Sequence, residues 1–177
     1  MTDKHIKNLI YSAVFLAIGI VLTFITGQIK EIGDTLLPMH IPVLLCGFLC
    51  GWQYGFSVGL ILPFLRSAMF GMPPMYPNAV WMAFELCTYG LVSGLVFKSY
   101  KTKSVLSVYV SLITAMIFGR IVWGIAKAVL LGFAKKPYTF AMFVTGGFID
   151  ALPGIILQLI IIPLIVNIYI KSKKHIV

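Results

Sequence analysis

Long apolar runs broken by short polar punctuation set the pattern of this chain. Residues 9–25 carry no charge, and residues 35–65 contain no Asp, Glu, Lys or Arg. Runs of this length read as membrane spans. The glycines, prolines and lysine clusters between them predict six helices, at about 8–27, 39–50, 54–70, 78–97, 105–132 and 147–170. The second helix is short. The break that creates it is GWQYG at 51–55, inside the charge-free stretch. The predicted fold class is an all-α integral membrane protein, a six-helix bundle forming one membrane domain over residues 1–177.

Composition agrees with that pattern. Hydrophobic residues make up 60% of the chain and charged residues 11%, with a mean hydropathy of +1.00. Too few polar side chains remain to clothe a soluble core. The first apolar run follows MTDKHIKN and lacks a small-x-small cleavage site, so it reads as an uncleaved span rather than a signal peptide. The net charge of +9 would point to nucleic acid in a soluble protein. Here most lysines flank spans, so membrane lipid and orientation account for them, and no nucleic-acid partner is expected.

Those lysines also set the orientation. Lys4 and Lys7 precede the first helix, Lys98, Lys101 and Lys103 follow the fourth, and Lys171, Lys173 and Lys174 follow the sixth. All three clusters share one side only if GWQYG is a turn. Both termini are then cytoplasmic, and PMYPN at 74–78 faces outside. Trp52, Tyr54, Tyr76, Trp81, Tyr100 and Tyr138 fall near the proposed interfaces, as an aromatic belt. Small residues recur at four-residue spacing: Gly47, Gly51, Gly55 and Gly59, then Gly90 and Gly94, then Ala13 and Ala17. Such spacing lets helices approach closely in lipid. The glycines are expected to serve internal packing. The alanines suit internal packing or contact with another protein equally well.

Five ionisable residues fall inside spans: Arg66, Glu85, Arg120, Lys127 and Asp150. Each costs roughly 2.5–3.5 kcal/mol at the bilayer centre on the insertion scale. The predicted topology places all five in the outer half, on four helices. Arg120, Trp123 and Lys127 share a face at i, i+3, i+7; Glu85 and Tyr89 share another, with Trp81 four residues before Glu85. Residues 28–38 are expected to fold over this cluster from outside, with His40 just below. Two readings stay open. In one, Arg66–Glu85 and Arg120–Asp150 are structural ion pairs, and Lys127 snorkels to the interface. In the other, three cations against two carboxylates leave a surplus that binds an anionic ligand.

Several chemistries are set aside. GFSVG at 55–59 fits the nucleophile-elbow pattern, but it opens a membrane helix and has no histidine at its depth. There is no H-E-x-x-H and no P-loop. Cys46, Cys50 and Cys87 lie in apolar runs as small hydrophobes, without further ligands for a metal. The chain therefore reads as no enzyme, with no cofactor and no metal. Six spans are few for a stand-alone secondary transporter, so a partner is expected to supply energy.

With these residues in view, the chain resembles the S component of an energy-coupling factor (ECF) transporter, the vitamin-binding subunit of a class of ABC importers. The likeness covers nearly the whole chain. SAVFLAIGI holds Ala13-x-x-x-Ala17, similar to the family's contact with its transmembrane coupling subunit, and LPMHIPVLLCGFLCGWQYG at 37–55 is similar to the stretch after the family's first loop. The resemblance implies that a vitamin or precursor is bound from outside, with the first loop as a lid. The subunit then topples in the membrane, driven by the coupling subunit and two ATPase subunits. It implies a site built from helices four to six and the first loop. Here those regions hold Glu85, Tyr89, Arg120, Trp123, Lys127, Asp150 and His40, with Trp81 beside them and Arg66 less covered. It also implies a multi-pass protein of a prokaryotic cell membrane. The basic lining argues against a cationic vitamin and favours a small acid such as pantothenate; riboflavin-like or pyrimidine rings also remain. The competing class is a ligand-free structural or assembly subunit with internal ion pairs. A channel is disfavoured, because no polar stripe runs the full depth of any helix.

Overall fold

The computed structural model describes residues 3–25 and 35–175, with side chains through residue 172. The described residues are helical with short connections and no strand. The helices are α1 (Asp3–Ile25), α2 (His40–Cys50), α3 (Trp52–Phe70), α4 (Val80–Ser99), α5 (Val105–Phe133), α6 (Phe140–Val144) and α7 (Leu152–His175). A kinked segment, Met75–Ala79, with Tyr76 in extended backbone, leads into α4, and a π-helical turn, Thr145–Ile149, continues α6. Among the described residues, four segments are long and apolar enough to cross a membrane: Asp3–Ile25, Met75–Ser99, Val105–Phe133 and Leu152–Ser172. Helix α2, with 11 residues, extends roughly 16 Å and is too short to do so alone. Helix α3 is polar at both ends, with Trp52, Gln53 and Tyr54 at one and Arg66 and Ser67 at the other.

Local chemistry explains the boundaries. Gly51 has φ 106° and Gly71 has φ 70°, so a residue with a Cβ would be strained at either. The first separates α2 from α3 within GWQYG; the second ends α3, its N–H bonded to the Ser67 carbonyl. A capping box opens α5: the Ser107 N–H donates to Ser104 Oγ at 3.3 Å, and the Ser104 N–H donates to Ser107 Oγ at 3.0 Å. The helix expected at 147–170 is divided differently. Thr139 caps α6 by accepting from the Met142 N–H at 3.4 Å, Asp150 N–H closes the π-turn on the Thr145 carbonyl, and α7 starts only at Leu152 with Pro153 in its first turn.

Helices α2, α3 and α4 meet along a seam of glycines. A Cβ on Gly90 would lie 2.2 Å from the Gly55 carbonyl, and one on Gly59 would lie 2.4 Å from the Leu86 carbonyl oxygen. A Cβ on Gly94 would lie 2.5 Å from the Trp52 nitrogen. Such backbone contact gains dispersion where lipid offers no hydrophobic drive. Around the seam lies the core, with Val43, Leu44, Leu62, Leu86, Val108, Leu112, Ile162 and Val166 fully or almost fully buried. Cys46 and Cys50 sit in it as apolar filler. Helix α1 is peripheral. It buries only Ser12, Gly19 and Thr23 among its residues, and Ala13 and Ala17 are exposed on its outer side.

Candidate functional site

Three buried polar side chains from three helices meet above the core. His40 opens α2, Glu85 lies in the second turn of α4, and Arg120 is midway along α5. Arg120 Nη1 lies 2.9 Å from Glu85 Oε1, and His40 Nε2 lies 3.3 Å from the same oxygen. None of the three is more than 4% exposed. Away from water such a carboxylate requires partners, and here a guanidinium and an imidazole supply them. Nε and Nη2 of Arg120 are buried with no hydrogen-bond partner among the described residues. Tyr89, one turn beyond Glu85, meets the His40 ring edge-on at 5.1 Å. Gly119 admits it: a Cβ there would lie 2.9 Å from the Tyr89 ring.

Above this triad a cavity of about 460 Å³ opens between the start of α2, the end of α3, α4, α5 and the Thr145–Ile149 π-turn. Eight residues singled out from sequence line it: His40, Arg66, Trp81, Glu85, Arg120, Trp123, Lys127 and Asp150. Tyr89 lies beneath it, behind the triad. Asp150 is at the exposed rim. Lys127 Nζ lies 4.4 Å from the centre of the Trp123 ring, 5.5 Å from that of Trp81 and 5.6 Å from that of Tyr138. Three aromatic faces thus surround one ammonium, and cation–π attraction holds it beside the cavity. Arg120 also lies over Trp123, at 5.9 Å.

The ion pairs differ from those inferred from helix order. Arg120 pairs with Glu85 rather than with Asp150, and Glu85 takes Arg120 and His40 as partners in place of Arg66. Helix rotation decides this: the glycine seam sets it for α2, α3 and α4, and the close approach of Gly119 to Tyr89 sets it for α5. Residues 28–34 of the expected lid lie outside the described residues, while Leu37, Pro38 and Met39 do line the cavity. Sequence reasoning missed Asn78, whose place one turn before Trp81 and Met82 was the available signal. Tyr138, expected in an interfacial belt, packs beside Lys127 at the cavity's edge. Ala13 and Ala17 do not line this cavity; they are exposed on α1.

A buried polar cluster under a cavity in a membrane bundle is an arrangement that can hold a small solute. Comparison with curated proteins found no match, and neither did comparison with solved structures. A family model described as "ECF transporter, substrate-specific component" matches residues 7–166. This multi-pass membrane chain therefore belongs to the family of substrate-specific components of ECF transporters.

Proposed function

We propose that the chain captures a small anionic vitamin or vitamin precursor in the cavity above Glu85 and Arg120, with pantothenate as the first candidate. The observation that carries this reading is Arg120. Its Nη1 meets Glu85, while Nε and Nη2 remain buried without a hydrogen-bond partner among the described residues. A buried guanidinium with donors to spare favours an incoming carboxylate or phosphate. Lys127 adds a second cation, and Trp81 and Trp123 offer faces for the ligand's apolar part. The volume lies within the range usual for small-molecule sites.

In this mechanism the ligand enters from outside the cell membrane of a prokaryote. An ECF coupling subunit and two ATPase subunits then drive its delivery inward. Ala13 and Ala17, exposed and one turn apart on α1, form the contact with the coupling subunit. Ala17→Trp should abolish co-purification with that subunit while leaving ligand binding intact; loss of binding instead would remove α1 from this role.

The primary test is mass spectrometry of small molecules that co-purify with the detergent-solubilised protein, followed by a tryptophan-fluorescence titration with pantothenate and other acidic vitamins. One stoichiometric acid, displaced by its pure form, is expected. Failure of every acid against a folded protein would overturn the reading. A second reading, a ligand-free assembly subunit, draws on the Glu85–Arg120 pair itself, because a buried ion pair is also able to close a bundle.

A further inference from the structure

At the opposite end of the bundle is a second hollow, of about 500 Å³, between α2, the end of α4, the α4–α5 connection and α7. Phe97, on its wall, lies twelve residues beyond Glu85 along α4, roughly 18 Å from the first cavity's floor. The two hollows are therefore separate. This one is apolar on its sides and basic at its rim. Phe48 and Phe97 pack edge-on at 5.1 Å, and Leu49 and Ile170 extend the apolar wall. Lys101 and Lys103 stand at the edge.

Lys103 is held in place. Its ammonium donates to the Phe97 carbonyl and, at 2.6 Å, to the Tyr100 carbonyl, and it lies 4.4 Å from the centre of the Phe97 ring. These carbonyls end α4, where a cation is favoured. Partial burial lowers the Lys103 pKa, so a nearby anion would offset a desolvation cost already present. The wider setting is strongly one-sided. Lys4, Lys7, Lys98, Lys101, Lys103 and Lys171 all belong to this end, whereas Asp3 is its single carboxylate among the described residues. Next to the hollow, Val105 and Leu106 are exposed, as side chains facing acyl chains would be.

We infer that this hollow is a binding site for an anionic phospholipid, with the headgroup phosphate between Lys101 and Lys103 and an acyl chain along Phe48, Phe97, Leu49 and Ile170. A free anion would use the rim but not the apolar wall. A neutral lipid would use the wall but not the rim. The pairing of both at the depth where α4 leaves the membrane selects an amphiphile of negative charge. Its role would be to fix the α2–α4–α7 end in the leaflet that carries anionic lipid.

The test is native mass spectrometry of the full chain in detergent, titrated with dioleoyl phosphatidylglycerol or dioleoyl phosphatidylcholine. Wild type should retain the anionic lipid in preference. The variant Lys101→Gln with Lys103→Gln should weaken retention about fivefold per lysine, the equivalent of roughly 1 kcal/mol each. Because Lys103 also ties down the end of α4, the exposed single variant Lys101→Glu provides the same readout without that risk. Equal retention of both lipids would overturn the assignment. So would unchanged retention in Lys101→Glu, or displacement of the lipid by inorganic phosphate. Loss of coupling-subunit binding with lipid adducts unchanged would reassign the hollow to a protein partner.

Discussion

The glycine seam and the cavity above it are opposite solutions to helix contact. Along the seam, backbone meets backbone and no side chain separates α3 from α4. At the cavity, the helices part, and the intervening space is lined by long polar side chains, among them Arg66, Arg120 and Lys127. The first arrangement fixes how α2, α3 and α4 are rotated. The second depends on that rotation, because a charge turned toward lipid would be unfavourable by several kcal/mol. Close packing in one region thus makes buried charge tolerable in the other.

The strongest way to break this relation is to remove one member of the buried pair. Arg120→Gln leaves Glu85 buried with His40 alone and should destabilise the fold by about 3–5 kcal/mol, read as a fall in thermal unfolding temperature in detergent. Exchanging the two charges, Glu85→Arg with Arg120→Glu, sharpens the point. Recovery of stability without ligand binding would assign Arg120 to both tasks, whereas recovery of both would favour the structural role.

Gly90→Ala attacks the seam from the other side. The new methyl would sit against the Gly55 backbone, and backbone cannot swing away as a flexible side chain does. A loss of about 1–3 kcal/mol is expected, with weakened ligand binding as the rotation of α4 shifts. Normal ligand binding in a destabilised Gly90→Ala would separate seam from site. Lys127→Gln should cost about 1 kcal/mol of stability through its lost ring contacts and reduce affinity for an acidic ligand about tenfold, measured by tryptophan fluorescence. The smallest effect is expected at Gly132, near the end of α5, where an added methyl would meet nothing within 4 Å. Gly132→Ala should stabilise by up to about 1 kcal/mol, in contrast to the same change at Gly90.

Much of this contrast can be read from residue order. Apolar run lengths mark the long helices, and Gly51 within GWQYG marks the division between α2 and α3. Depth along each helix grouped Arg66, Glu85, Arg120, Lys127 and Asp150, and all five line one cavity. Partner choice was not legible. Two helices at the right depth still have to be rotated, and the rotation follows from backbone approaches too close to admit a Cβ, which no periodicity reveals. Helix α6 was hidden for a different reason: Thr139 caps a five-residue helix whose continuation, TGGFI, looks like a loop by composition. Tyr138 adds a contact that belt logic does not reveal, since an aromatic near an interface can also meet an ammonium.

A seam of backbone on backbone has a mechanical consequence. Where Gly55 meets Gly47 and Gly90, and Gly59 meets Leu86, nothing can be compressed, and no rotamer can change to let the helices slide. Helices α2, α3 and α4 are thereby coupled into a single stiff strut. Two spin labels on exposed sites of α3 and α4 should report one distance with and without ligand; a change on binding would disprove the coupling. Among the described residues, any breathing of the cavity then falls to the lining outside that strut: residues 37–39 and 72–74, α5 and the Thr145–Ile149 turn. The glycines are the frame against which that lining moves.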